Sequence, residues 1–171
     1  MADAYESAKG HRGWLETLSE KIPGYAGYAD RERRRDADRV VREHVAGILD
    51  HVKDDLDTAR LLLTDQTRLE QVGAIDRVGK RVESLADRLR TATYGYAGLF
   101  DAQKIGDAEL ARLYEFDGGL EADAQAMMPL CAGVLEAVQG KGEMTAATGA
   151  IDAALRAFET KTNDRARAIT G

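Results

Sequence analysis

From Val41 to Leu63 the apolar residues fall at steps of four, three, four, four, three and four: Val41, Val45, Ile48, Val52, Leu56, Ala59 and Leu63. A period near 3.6 held over six turns cannot serve a strand. It buries one face of a long helix. The pattern returns in Val72, Ile75, Gly79, Val82, Ala86, Leu89 and Thr93. It returns again, alternating three and four without a slip, in Leu110, Leu113, Asp117, Leu120, Ala124, Met127, Cys131, Val134 and Val138, a heptad-like register. A last copy runs through Met144, Thr148, Ile151, Leu155, Phe158, Thr162 and Ile169. Alternating β-branched runs do not occur, so no strand is expected.

Boundaries follow from the punctuation. Trp14, Leu15, Leu18 and Ile22 share a face of a short first helix, which Pro23-Gly24 stops. Asp30 is the expected N-cap of a second helix reaching Leu63. Thr64-Asp65 is the expected break, with Asp65 capping the third helix, which ends at the YGYAG turn. Asp101 or Asp107 opens a fourth. Gly118-Gly119 and Pro129 are expected to bend or break it. QGKGE, residues 139–143, is a loop before the fifth.

Short loops make successive helices antiparallel. The expected fold is all-α: an elongated antiparallel up-down bundle of four long helices plus a short N-terminal one, about 40–50 Å long at 1.5 Å per residue. The 171 residues fit a single domain, with 1–23 as the short helix and hinge and 24–171 as the bundle core.

Composition narrows the setting. A formal net charge of −6 disfavours a general nucleic-acid binder. The single cysteine, Cys131, fits a reducing compartment. The chain starts without the basic, then apolar, pattern of a secretory signal, and no stretch approaches a membrane span. A soluble, cytoplasmic protein is expected.

Two segments repeat. GYAGYADRERRRDAD, from Gly24, and GYAGLFDAQKIGDAE, from Gly95, are 71 residues apart. Asp30 matches Asp101, Asp36 matches Asp107 and Asp38 matches Glu109. Each copy precedes a long helix, so the first reading is a helix-entry turn with a capping Asp and a plugging Tyr. The alternative is a pair of aromatic, acidic sites related by an approximate internal two-fold. An up-down bundle would gather Tyr25, Tyr28, Tyr94, Tyr96 and Phe100 at one end, an interaction surface.

Candidate chemistry is sparse. None of the three histidines, His11, His44 and His51, has a Glu three residues before it, so a bundle di-metal carboxylate centre is not encoded. His44, His51 and Asp55 share a helix face. Asp117 takes a seam position, with Glu121 one turn on. A carboxylate there costs several kcal/mol unless paired, with Arg39, Arg42, Arg81 and Arg88 as candidate partners. Asp117, Glu121, His51 and Asp55 are the candidate ligands if a divalent cation binds; no other cofactor is indicated. Cys131 reads as an apolar filler. Phosphate-binding loops, nucleophile elbows and EF-hands are absent.

Segment 101–138 holds eight acidic residues against two basic ones. Arg31 to Arg35, continued by Arg39 and Arg42, form the opposite patch, and opposite patches invite self-association. The reading favoured is a non-enzymatic interaction or scaffold protein that self-associates or binds another protein. Its contact surfaces would be Tyr25, Tyr28, Tyr96 and Phe100 at the turn end and Arg31, Arg34, Arg35 and Arg42 on the helix face. The alternatives are a divalent-cation or small-ligand binder and a nucleic-acid-associated stress protein.

Overall fold

The computed structural model describes residues 20–21, 31–92 and 107–170, with the side chains of 20–21, 39–92 and 115–164. Four long helices account for almost all of them: α1 (Arg31–Asp65), α2 (Leu69–Thr91), α3 (Asp107–Val138) and α4 (Met144–Thr170). The protein is an all-α helical bundle, with no strand among the described residues. The turn portions of the two sequence copies, residues 24–30 and 95–106, and residues 1–19 lie outside them.

The seam residues of α1 are all buried, from Val41 to Leu63. So are Ile75, Val82, Ala86 and Leu89 of α2, Leu120, Ala124, Met127, Cys131, Val134 and Val138 of α3, and Ile151, Leu155 and Phe158 of α4. Each large apolar side chain removed from water contributes about 1.5–3 kcal/mol, and these rows together are what the fold rests on. At the α1–α2 contact Gly79 is buried, and the Lys53 methylenes lie 3.5 Å from where its Cβ would be.

Two boundaries differ from expectation. α1 runs through Asp65, so Asp65 does not cap α2; the residue before α2 is Arg68, which makes no side-chain cap hydrogen bond. α3 is continuous past Gly118-Gly119 and Pro129. Pro129 is exposed, so the carbonyl its ring leaves unpaired can face water.

α1 and α3 end in the same device. At the end of α1, Arg68 N–H bonds the Leu63 carbonyl at 2.9 Å and Thr67 N–H bonds the Thr64 carbonyl at 3.0 Å. At the end of α3, Lys141 N–H bonds Glu136 at 3.0 Å and Gly140 N–H bonds Ala137 at 3.1 Å. Both are Schellman turns, in which one residue takes the left-handed conformation. Gly140 does so at φ 80° and Thr67 at φ 58°. Glycine is suited to this; a β-branched threonine is strained by it.

The side-chain links fix how the helices run. Between α1 and α2, Arg60 meets Asp76 at 3.7 Å and Arg90 pairs with Asp50, an antiparallel register. Between α3 and α4, Lys161 meets Asp123 at 2.5 Å, while the first residues of α4 follow directly on the end of α3, again antiparallel. Across the hairpins the sense is parallel. Cys131 Sγ approaches the Val52 carbonyl at 3.7 Å and Arg68 reaches Val138 at 2.6 Å. Arg81 binds Asp152 at 2.5 Å and Arg88 binds Glu159 at 2.8 Å, so α2 and α4 rise together.

α1 therefore packs on α2 and α3, and α4 on α2 and α3. Among the described residues α1 does not approach α4, nor α2 approach α3. The helices joined by residues 93–106 lie on a diagonal. This order excludes an internal two-fold along the bundle, which would place α1 and α3 on a diagonal. The two hairpins are stacked side by side in the same sense.

Candidate interaction surface

Among the described residues four polar ones are buried: Arg42, Asp117, Glu121 and Thr148. Arg42, expected on an exposed contact face, turns inward. Its guanidinium donates to the Leu89 carbonyl at 2.8 Å and the Arg90 carbonyl at 3.3 Å, serving orphan carbonyls at the end of α2. Thr148 donates to the Met144 carbonyl one turn back, at 2.8 Å. Glu121 is met by Lys21 at 3.1 Å. Asp117 is fully buried and has a polar or electrostatic partner of its own. Arg81 and Arg88, candidate partners for it, are committed instead to Asp152 and Glu159 on α4.

The candidate metal ligands do not come together. His51 is exposed and Asp55 half-buried on α1, while Asp117 and Glu121 are buried on α3. Among the described residues no three or more His, Cys, Asp or Glu are grouped to hold a metal ion. His44 is half-buried, and its Nε2 is enclosed without a hydrogen-bond partner among the described residues. Burial, with the Asp55 carboxylate nearby, pushes the Cys131 thiol up to about 12, so it stays protonated at neutral pH.

Tyr25, Tyr28, Tyr96 and Phe100 lie outside the described residues. Arg31, Arg34 and Arg35 stand on the first turns of α1, with side chains outside them. Because α1 and α3 are parallel neighbours, the basic start of α1 and the acidic start of α3 share one end of the bundle. Positive charge at a helix N-terminus opposes the helix dipole, and the acidic start of a neighbouring helix offsets it. The opposite patches that suggested contact between molecules thus stand at the same end of one.

A different surface emerges on the α3–α4 hairpin. Glu115, Phe116, Gly118, Gly119 and Ala122 of α3 and Lys161 of α4 line a half-open groove of about 530 Å³. The Lys161 side chain lies across Gly119, its Cδ 3.5 Å from where a Cβ would be, and its Nζ donates to the Gly119 carbonyl at 3.4 Å. Beyond the groove the outer surface is poor in charge. From Ala122 to Glu136, α3 exposes Ala122, Gln125, Ala126, Met128, Pro129, Ala132 and Glu136. From Thr145 to Ala157, α4 exposes Thr145, Ala146, Gly149, Ala150, Ala153, Arg156 and Ala157. Only Glu136 and Arg156 are charged. By contrast most of the residues α2 exposes are charged, Glu70, Arg77, Lys80, Glu83, Asp87, Arg88 and Arg90, although Leu69 there and Leu61 on α1 are exposed as well.

The sequence carried a signal for this face. The acidity of segment 101–138 is concentrated before Ala124, and no charge occurs between Asp123 and Glu136. Counting the segment as one acidic block hid that gap. No known protein family, curated protein or solved structure matches this chain. No described helix is long and apolar enough to cross a membrane.

Proposed function

We propose that this chain is a non-enzymatic helical interaction protein that associates with itself. The observation that supports the reading is the contrast between its two hairpins. The α1–α2 hairpin shows water a charged surface, as a solvated helix pair does. The α3–α4 hairpin carries apolar residues on its core side and nearly uncharged ones on its outer side. Charge-depleted surface beside a groove has the composition of a contact core more than of a solvated face.

Light scattering of the full chain from about 1 µM to about 200 µM tests this, because association follows mass action. The expected outcome is a mass that rises with concentration toward a dimer or a larger assembly. A monomer mass throughout the range would remove self-association from the reading.

A further inference from the structure

We propose that the groove on the α3–α4 hairpin is the dock of this chain's own N-terminal segment, residues 11–22, entered by the side that carries Trp14 and Leu18. Self-association is not required for this. The groove goes to the same chain, and the charge-poor surface beyond it stays open to a partner.

Glu20 and Lys21 are helical, and the Lys21 ammonium meets the Glu121 carboxylate at 3.1 Å. Glu121 adjoins Ala122 in the chain and stands one turn from Gly118, and both of those line the groove. The ion pair thus sets the end of the segment beside the groove. Spacing decides which side of the segment faces α3. The sequence predicts a helix over residues 11–22, stopped by Pro23-Gly24. Trp14, Leu18 and Lys21 are four and three residues apart, so they share one stripe of that helix. With Lys21 on Glu121, the same stripe turns Trp14 and Leu18 toward α3. Glu16 and Glu20 fall on the opposite side, and Glu20 is exposed.

Length and chemistry agree. From Lys21 back to Trp14 is about 10 Å along a helix, and from Glu115 to Ala122 along α3 is the same distance. The groove offers the half-buried Phe116 and the small residues Gly118, Gly119 and Ala122. Its lysine, Lys161, is already neutralised by Asp123 at 2.5 Å, so the space suits an apolar side chain better than an anion. An indole and a leucine would remove apolar surface of both partners from water there.

Trp14 is the chain's single tryptophan, so its fluorescence reads the dock directly. The full chain is measured from about 1 µM to about 200 µM with acrylamide as quencher and circular dichroism alongside. The wild type is expected to show blue-shifted emission, shielded from quenching equally at every concentration. Ala122→Glu places a charge in the groove at an exposed position, and Lys21→Glu sets two carboxylates against each other. Each should shift the emission to the red and raise quenching toward that of the denatured chain, while the helical signal of the four long helices remains. Ala132→Glu, exposed on α3 beyond the groove, should change neither. If Ala122→Glu loses the bundle, Lys21→Glu decides alone, because Lys21 is half exposed. Wild-type emission as red and as quenched as in denaturant overturns the dock. Shielded emission that the folded variants leave unchanged puts Trp14 elsewhere and overturns it as well. Shielding that grows with concentration gives the groove to a second copy's segment, which overturns the intramolecular dock and leaves self-association standing.

Discussion

The Arg68 guanidinium donates a 2.6 Å hydrogen bond to the carbonyl of Val138, 70 residues away. Arg68 follows the left-handed residue of the turn that ends α1, and Val138 is the last residue of α3. The bond satisfies one of the carbonyls a helix end leaves open, and fastens the end of α1 to the end of α3. A second arm of the same side chain holds Gln71 at 2.6 Å, in the first turn of α2. Arg68→Met should destabilise by about 1–2 kcal/mol, the range for a charge-assisted hydrogen bond, read from the urea midpoint.

Thr67 beside it holds φ 58° where the matching turn has Gly140. A left-handed residue with a Cβ costs roughly 1–2 kcal/mol, partly returned when glycine's extra unfolded-state freedom is counted. Thr67→Gly should therefore raise stability by about 0.5–1 kcal/mol, and Gly140→Ala lower it by about 1 kcal/mol. Opposite shifts of the thermal midpoint by about 2–4 °C check both.

Arg42 is 5% exposed and closes the end of α2. Arg42→Met keeps the aliphatic stem and removes the donors, stranding the Leu89 and Arg90 carbonyls. The expected loss is about 2–3 kcal/mol. Arg77→Met, on the exposed side of α2, should change stability by no more than about 0.5 kcal/mol. Equal losses would show that the inward contact is not what matters.

The ion pairs between α2 and α4 give stability an acid limit. Hydrogen bonds from Arg156 and then Arg81 hold the Asp152 carboxyl below its usual range; those from Arg81 and then Arg88 do the same for Glu159. A carboxylate whose folded pKa is depressed stabilises above its unfolded pKa, near 4, and loses that contribution as pH falls through the folded value. The pairs are partly exposed, so each is worth about 1 kcal/mol or less. The thermal midpoint should fall below pH 4, and the fall should be shallower in Asp152→Asn with Glu159→Gln.

The Cys131 thiol, buried and raised to about 12, should resist alkylation at pH 8. Iodoacetamide should label it only as fast as the bundle opens, and promptly in denaturant. Rapid labelling of the folded chain would mean that the α1–α3 seam opens locally.

Much of the bundle was legible in the sequence, because a helix buried on one side must repeat its apolar residues near every 3.6. Each α1 position from Val41 to Leu63 in the seam is buried. The seam alone missed Ala46, Leu49, Val78, Leu85 and Ala137, which are buried beside it. A helix in this bundle touches two neighbours, so its apolar face is wider than a single stripe. Lateral order was not legible, because a seam looks the same whichever helix covers it. Arg42 was read as surface because a run of arginines usually is, and nothing local shows that one of them lies opposite a helix end. The charge-free stretch of α3 was visible and became meaningful only once α4 supplied a matching row.

The side-by-side stacking of the hairpins also orders how the chain must find its structure. Inside the first hairpin, contacts begin close to the turn, as with Arg60 and Asp76, and extend outward to Asp50 and Arg90, 40 residues apart. Between the hairpins no such gradual start exists: Arg68 and Val138 are 70 residues apart, Arg81 and Asp152 are 71, and Cys131 and Val52 are 79. Local pairs can zip; distant ones must collide. Joining the two hairpins therefore closes longer loops than forming either one, and carries the larger share of the chain entropy that folding must overcome.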